Sequence, residues 1–127
     1  MIYGIGTDII DINRIKNTIK KYGDKFKKRC FHENEIKKSE QRLNCAESYA
    51  KRYAAKEACA KALGTGLARG VFWKDIEVKN NNFGKPYIVL HNRAKKIIYS
   101  LNKSNLNIEL SLTDEKDYAL ANVIIFK

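Results

Sequence analysis

"RYAAKEACAKALGTG", residues 52–66, decides how the chain is read. Alanine is the strongest helix former, and the run stops at Gly64, as glycine does just past a helix C-terminus. The pattern predicts a long helix from about Ala46 to Leu63. Tyr53, Glu57 and Lys61 recur every fourth residue and so share one face, together with the small Ala50, Ala54, Ala60 and Gly64. Such a face leaves room for a ligand or for a strand packed very close. The plainer account is an exposed Glu–Lys pair one turn apart, which stabilises a helix by roughly 0.2–0.5 kcal/mol. A second carboxylate elsewhere in the chain would favour a site.

That carboxylate is Asp8. Residues 2–9 alternate Tyr3, Ile5, Thr7 and Ile9 against Ile2, Gly4, Gly6 and Asp8, which predicts a strand with one bare face. Two glycines weaken a strand unless something approaches its backbone closely. Asp11 can cap a helix whose Ile12, Ile15 and Ile19 fall at helical spacing and whose other face is basic; "YGDKFKKR" extends that basic run. A second helix is expected near Glu33. Beyond the long helix, "DIEVK" and "PYIVL" read as strands around the turn "NNNFGK", "NRAKKIIYSLNK" as a short amphipathic helix, and "LNIELSL" and "YALANVIIF" as strands joined by "TDEKD". The order β-α-α-α-β-β-α-β-β predicts an α+β fold, with a mainly antiparallel sheet packed against helices, in a single domain over residues 1–127.

With 127 residues the chain suffices for one domain with a real core, and its 44% hydrophobic and 31% charged residues are those of an ordinary folded protein. The net charge of +11, from 25 basic and 14 acidic side chains, favours an anionic partner; an abundance of Lys alongside Asn and Ile is the compositional alternative. Cys30, Cys45 and Cys59 form no CxxC pair and are expected to stay reduced. No basic leader precedes the first strand and no apolar run is long enough to span a membrane, so a cytoplasmic location is expected.

"GIGTDII" contains Gly-x-Gly, yet a third glycine is missing where Ile9 stands, so the dinucleotide pattern fails. "ALGTG" lacks the Gly-Lys-Ser/Thr of a Walker loop. Either glycine-rich segment could still offer backbone N–H groups to phosphate oxygens. Asp8 and Glu57, if brought together, would repel without a cation between them, and Mg²⁺ suits such hard oxygen ligands. Lys61 would add positive charge for a phosphate oxygen. Whether Asp8 meets Glu57 is left open by these patterns.

"GIGTDIIDINRI", "RYAAKEACAKALGTG", "WKDIEV…NNFGKPYI" and "SLTDEKDYALA" together, in this order and over nearly the whole chain, resemble the holo-acyl-carrier-protein synthases, the short stand-alone 4′-phosphopantetheinyl transferases. The resemblance implies transfer of 4′-phosphopantetheine from coenzyme A to a serine of apo-acyl carrier protein, with release of adenosine 3′,5′-bisphosphate. It implies Asp8 and Glu57 as Mg²⁺ ligands and Lys61 as the lysine beside the transferred phosphate. Arg52, Gly64, Thr65, Gly66, Lys85 and Pro86 match coenzyme A-contacting segments, and Arg14 the position that meets the acidic carrier. It also implies a homotrimer with sites at subunit interfaces.

The chain departs from the family where Thr113-Asp114 replaces a common Ser-His, where His32 replaces a Thr at the start of the second helix, and where Tyr53 replaces Phe. His32 and His91 lack metal-ligand spacing and read as structural or surface residues, and Phe72 and Trp73 as core. Two other classes fit parts of the pattern. A basic nucleic-acid-binding module explains the charge but neither Asp8 nor the Glu57–Lys61 face. A non-catalytic carrier-binding subunit would keep Arg14 and be indifferent to loss of the carboxylates.

Overall fold

The glycine-bare strand lies directly under the alanine-rich helix. A computed structural model describes residues 1–127, in the order β1 (Ile2–Asp11), α1 (Ile12–Tyr22), α2 (Asp24–Cys30), α3 (Glu33–Glu40), α4 (Cys45–Ala62), a 3₁₀ turn (Trp73–Asp75), β2 (Ile76–Asn80), β3 (Pro86–Leu90), α5 (Asn92–Leu101), β4 (Asn107–Glu115) and β5 (Tyr118–Phe126). The α+β class stands. Four helices, not three, precede β2, because the basic run after Gly23 folds as α2, whose Phe26 and Cys30 turn inward one turn apart. The strands divide into two antiparallel sheets, β1-β5-β4 and β2-β3. β4 also runs on through Thr113, Asp114 and Glu115, which leaves Lys116-Asp117 as the turn, with Lys116 at φ 52°.

Local chemistry accounts for the boundaries. The Asp11 carboxylate accepts from the Asn13 N–H at 2.8 Å and opens α1, and Gly23, at φ 55°, returns its N–H to the Ile19 carbonyl at 2.7 Å. His32 starts α3 without a side-chain cap; instead its backbone N–H donates to Glu35 Oε1 at 2.9 Å. Asn44 caps α4 by accepting from the Glu47 N–H at 3.1 Å.

Helix α4 is the centre of the molecule. Its buried residues include Tyr49, Ala50, Ala54, Ala55, Ala58, Cys59, Ala60 and Ala62, so it is enclosed on most sides rather than along one stripe. Its alanines let β1 approach at main-chain distance. A methyl group on Gly4 would overlap the Ala62 carbonyl oxygen, and one on Gly6 the Ala58 carbonyl oxygen. The close approach that two strand glycines called for is therefore a helix and not a phosphate. The inner face of the three-stranded sheet carries Ile10, Leu110, Ala119, Ala121, Val123 and Ile125, all buried.

The other face of the same sheet is uncovered. Ile5 and Ile9 are 64% and 60% exposed, and their register partners Ile124 and Leu120 lie half-buried beside them. Thr7 donates to Asn122 Oδ1 at 2.7 Å between these apolar pairs. The sidedness is thus the reverse of an ordinary two-layer fold: the bare face of β1 is inside and its apolar face outside.

A buried ion pair ties α3 to α4. Lys56 and Glu35 are both solvent-inaccessible, with Nζ 2.8 Å from Oε1. The remaining Lys56 donors go to the carbonyls of Trp73 and Ile76, and Glu35 Oε2 accepts from the Val78 N–H at 3.1 Å. Burial pushes the Cys30 thiol up to about 11 and the Cys59 thiol up to about 12, so both stay protonated, and all three cysteines are free.

Candidate active site

The close packing of β1 on α4 brings Asp8 to Glu57 and Lys61. Asp8 follows Gly6 on the inner face of β1, and Glu57 and Lys61 stand one turn apart on α4. Lys61 Nζ donates to the Thr7 carbonyl at 3.0 Å and to Asp8 Oδ1 at 3.2 Å. Asp8 is the more enclosed partner, with 12% of its side chain exposed against 52% for Lys61.

Glu57 shows what the cluster lacks. Burial holds its carboxyl above the usual carboxylate range, the Asp8 charge and a hydrogen bond with Asp8 raise it further, and Lys61 and Arg14 pull it back only in part. Two carboxylates within hydrogen-bonding reach, with cationic charge that falls short, form a donor set suited to a hard divalent cation. Tyr53, one turn before Glu57, is stacked on Trp73 with ring centroids 4.1 Å apart. Burial first, then the Glu57 charge, pushes its phenol up to about 12, so it keeps its proton at neutral pH. The positive charge of Arg14 on α1 acts on both, lowering the Glu57 carboxyl and the Tyr53 phenol against the other influences.

The Gly64-Thr65-Gly66 turn follows immediately, at the C-terminal end of α4. Gly64 and Gly66 adopt φ 86° and 60°, conformations that glycine reaches without strain. Their amides are occupied: Gly64 N–H donates to Lys61 O at 2.9 Å, and those of Thr65 and Gly66 both donate to Ala60 O, at 3.3 and 3.0 Å. In this structure those amides close the helix end. The first glycine pair, Gly4 and Gly6, lies under α4.

Arg52, Lys85 and Pro86 are not brought to Asp8. Five residues before Glu57, Arg52 leaves α4 on another face, donating to the Val78 carbonyl at 3.0 Å and Asn80 Oδ1 at 3.2 Å. It is 7% exposed, and its Nε has no partner. A separate depression is lined by Arg42, Lys51, Arg52, Asn80, Gly84 and Pro86, among others, and by none of Asp8, Glu57 or Lys61. Lys85 reaches outward to Glu109 Oε2 at 2.9 Å. Asp114 pairs with Lys51 at 2.5 Å, at the side of this depression. Within one chain, then, the candidate residues form two groups: a carboxylate–lysine cluster with Arg14 and the glycine turn, and an arginine-centred depression.

One helix and one strand, α4 and β1, thus meet backbone to backbone with a carboxylate pair and a lysine at their junction. The model of the 4′-phosphopantetheinyl transferase superfamily matches residues 4–123, and the chain belongs to that family. It is 51% identical over 127 aligned positions to the holo-[acyl-carrier-protein] synthase of Agrobacterium fabrum, covering 98% of this chain and 95% of that one. Among solved structures it superposes on the holo-[acyl-carrier-protein] synthase of Neisseria meningitidis with a TM-score of 0.87 and 37% identity, each chain covered in full. It superposes on the Bacillus anthracis enzyme in complex with CoA (3′,5′-ADP) with a TM-score of 0.81 and 36% identity, over 100% of this chain and 98% of that one.

Proposed function

We infer that the chain is a phosphopantetheinyl transferase acting as a holo-[acyl-carrier-protein] synthase: it moves 4′-phosphopantetheine from coenzyme A to a serine of apo-acyl carrier protein and releases adenosine 3′,5′-bisphosphate. The observation that carries this reading is the Asp8–Glu57–Lys61 cluster in a chain of this family.

Asp8 and Glu57 would hold Mg²⁺, which supplies charge neutralisation on the pyrophosphate of coenzyme A. Glu57 takes the proton of the attacking serine hydroxyl, directly or through a water. The serine oxygen forms its bond to the β-phosphorus as the bond to the departing adenosine 3′,5′-bisphosphate oxygen breaks. Lys61, already beside Asp8 and more than half exposed, turns its ammonium to the transferred phosphate. Tyr53, braced on Trp73, walls the cluster. Arg14 and the other basic residues of α1 attract the acidic carrier, and the excess of positive charge raises the encounter rate. The carrier so activated serves fatty acid synthesis, in the cytoplasm; no helix is long and apolar enough to cross a membrane.

Incubation of apo-acyl carrier protein with the enzyme, coenzyme A and Mg²⁺ should add one phosphopantetheine to the carrier by intact-mass measurement, and EDTA should abolish the gain. No gain with a folded enzyme and several carriers would overturn the reading.

The uncovered sheet face supports assembly into a homotrimer. Ile5 and Ile9, with Ile124 and Leu120 opposite, form two partly exposed apolar pairs on either side of the Thr7–Asn122 hydrogen bond, surface of the kind that other copies bury. Coenzyme A would then bridge subunits, the Arg52, Lys85 and Pro86 group of one copy completing the Asp8, Glu57, Lys61 and Gly64–Gly66 group of its neighbour. The wild type should run at three times the chain mass in light scattering. Ile9→Lys should shift it to lower mass and lower turnover together; an unchanged mass would exclude this face as the interface.

A further inference from the structure

His32, Glu77 and His91 are far apart in sequence and converge in the fold, each offering one ligand atom, with all of these atoms within 4.8 Å of one another. His32 precedes α3, Glu77 lies in β2, and His91 precedes α5, so the cluster joins three elements. Glu77 is a buried carboxylate, with 5% of its side chain exposed, and its hydrogen-bond partner is His91 Nε2 at 2.9 Å. The nearby Lys56 ammonium does not serve it, because all three of its hydrogens go to Glu35, Trp73 and Ile76. A buried carboxylate with a single imidazole partner is short of positive charge.

The two histidines stand side by side at this cluster. The two rings lie with centroids 5.0 Å apart. His32 Nε2 meets the Lys74 carbonyl; with the hydrogen donated there, Nδ1 keeps its lone pair for a metal, and the carbonyl fixes the tautomer as an outer partner of a ligating histidine does. The backbone on both sides is pinned, His32 by Glu35 and His91 by its N–H to the Asp75 carbonyl at 2.8 Å. Donors within 4.8 Å of one another need to draw together only modestly to sit at roughly 2.0–2.2 Å from one shared ion.

We propose that His32, Glu77 and His91 form a second metal site, which takes Zn²⁺ and clasps the starts of α3 and α5 to β2. Two imidazoles and one carboxylate select a borderline transition metal, unlike the all-carboxylate pair of Asp8 and Glu57. Both histidines are partly exposed, so water completes the tetrahedron. Binding displaces the His91 Nε2 hydrogen from Glu77: the imidazole proton moves to Nδ1, or to solvent if the ring is cationic, and the ion takes its place. The site shares no residue with the transferase cluster.

The test is calorimetric titration of Zn²⁺ into the tag-free full chain and into His32→Gln, His91→Gln and Asp8→Asn. One Zn²⁺ per chain should bind to the wild type and to Asp8→Asn, and each histidine variant should bind it about 10-fold more weakly or worse. Zn²⁺ should raise the melting temperature of the wild type but not of the histidine variants, whose transfer rates with Mg²⁺ should stay at wild-type level. His91→Gln keeps a neutral donor for Glu77, and His32→Gln leaves that pair untouched, so the second variant decides if the first does not fold. Absence of zinc binding, equal binding in the histidine variants, or its loss in Asp8→Asn would overturn the proposal.

Discussion

Glu57→Gln is expected to lower turnover by about 10³-fold or more while making the metal-free protein harder to melt. The first effect follows because a positioned base contributes roughly 10²–10⁴ and the same substitution removes a charge that would hold the divalent cation. The second follows from the raised Glu57 carboxyl. A group whose folded value lies above its unfolded one stabilises the fold in its protonated form. That contribution is complete below the ordinary carboxylate value and is lost as pH rises through the raised one. Glutamine keeps the neutral form at every pH, so the gap in melting temperature over wild type should be present at neutral pH and close in mild acid. Asp8→Asn should lose turnover to a similar degree, since Lys61 would lose its carboxylate partner along with the metal ligand. Carrier binding, followed separately, should survive in both. Undiminished turnover in the two variants would sink the catalytic assignment, whereas lost turnover with lost carrier binding would point to a docking role.

Lys56→Met should be the most damaging substitution outside the site. It leaves the inaccessible Glu35 carboxylate without its cation and takes a donor from each of the Trp73 and Ile76 carbonyls. Removing one partner of a buried pair costs about 3–5 kcal/mol, out of a total folding stability of about 5–15 kcal/mol. The urea midpoint should fall accordingly, with the slope of the transition unchanged. A loss below about 1 kcal/mol would show that the carboxylate takes up a proton and relaxes instead.

Much of the site could be read from periodicity. The period-2 pattern placed Asp8 on the same strand face as Gly4 and Gly6, and the four-residue spacing placed Glu57 and Lys61 together on a helix of small residues. What periodicity left open was that the two faces meet, which depends on the long-range packing of β1 on α4. The α2 segment has no legible period, because seven residues with only Phe26 and Cys30 turned inward give too short an apolar pattern. The strand residues Thr113 to Glu115 looked like turn because polar side chains suit an edge strand as well as a loop. Lys56 gave no sign of burial, its partner lying 21 positions away, and the convergence of His32 with His91 is likewise a product of topology. The separation of Arg52 from Glu57 was implicit in their five-residue spacing, which turns a helix well past one face.

The contact of Gly4 and Gly6 with the α4 carbonyls has an evolutionary side. Because main chain rests on main chain there, the distance from Asp8 to Glu57 does not depend on the size of any intervening side chain. Isoleucines and valines on the rest of the inner sheet face can drift to one another's shapes, at the modest cost of volume-conserving exchanges, without retuning the reactive pair. The chemistry is insulated from neutral change in the core, and the burden of constraint falls on two positions that only hydrogen can fill.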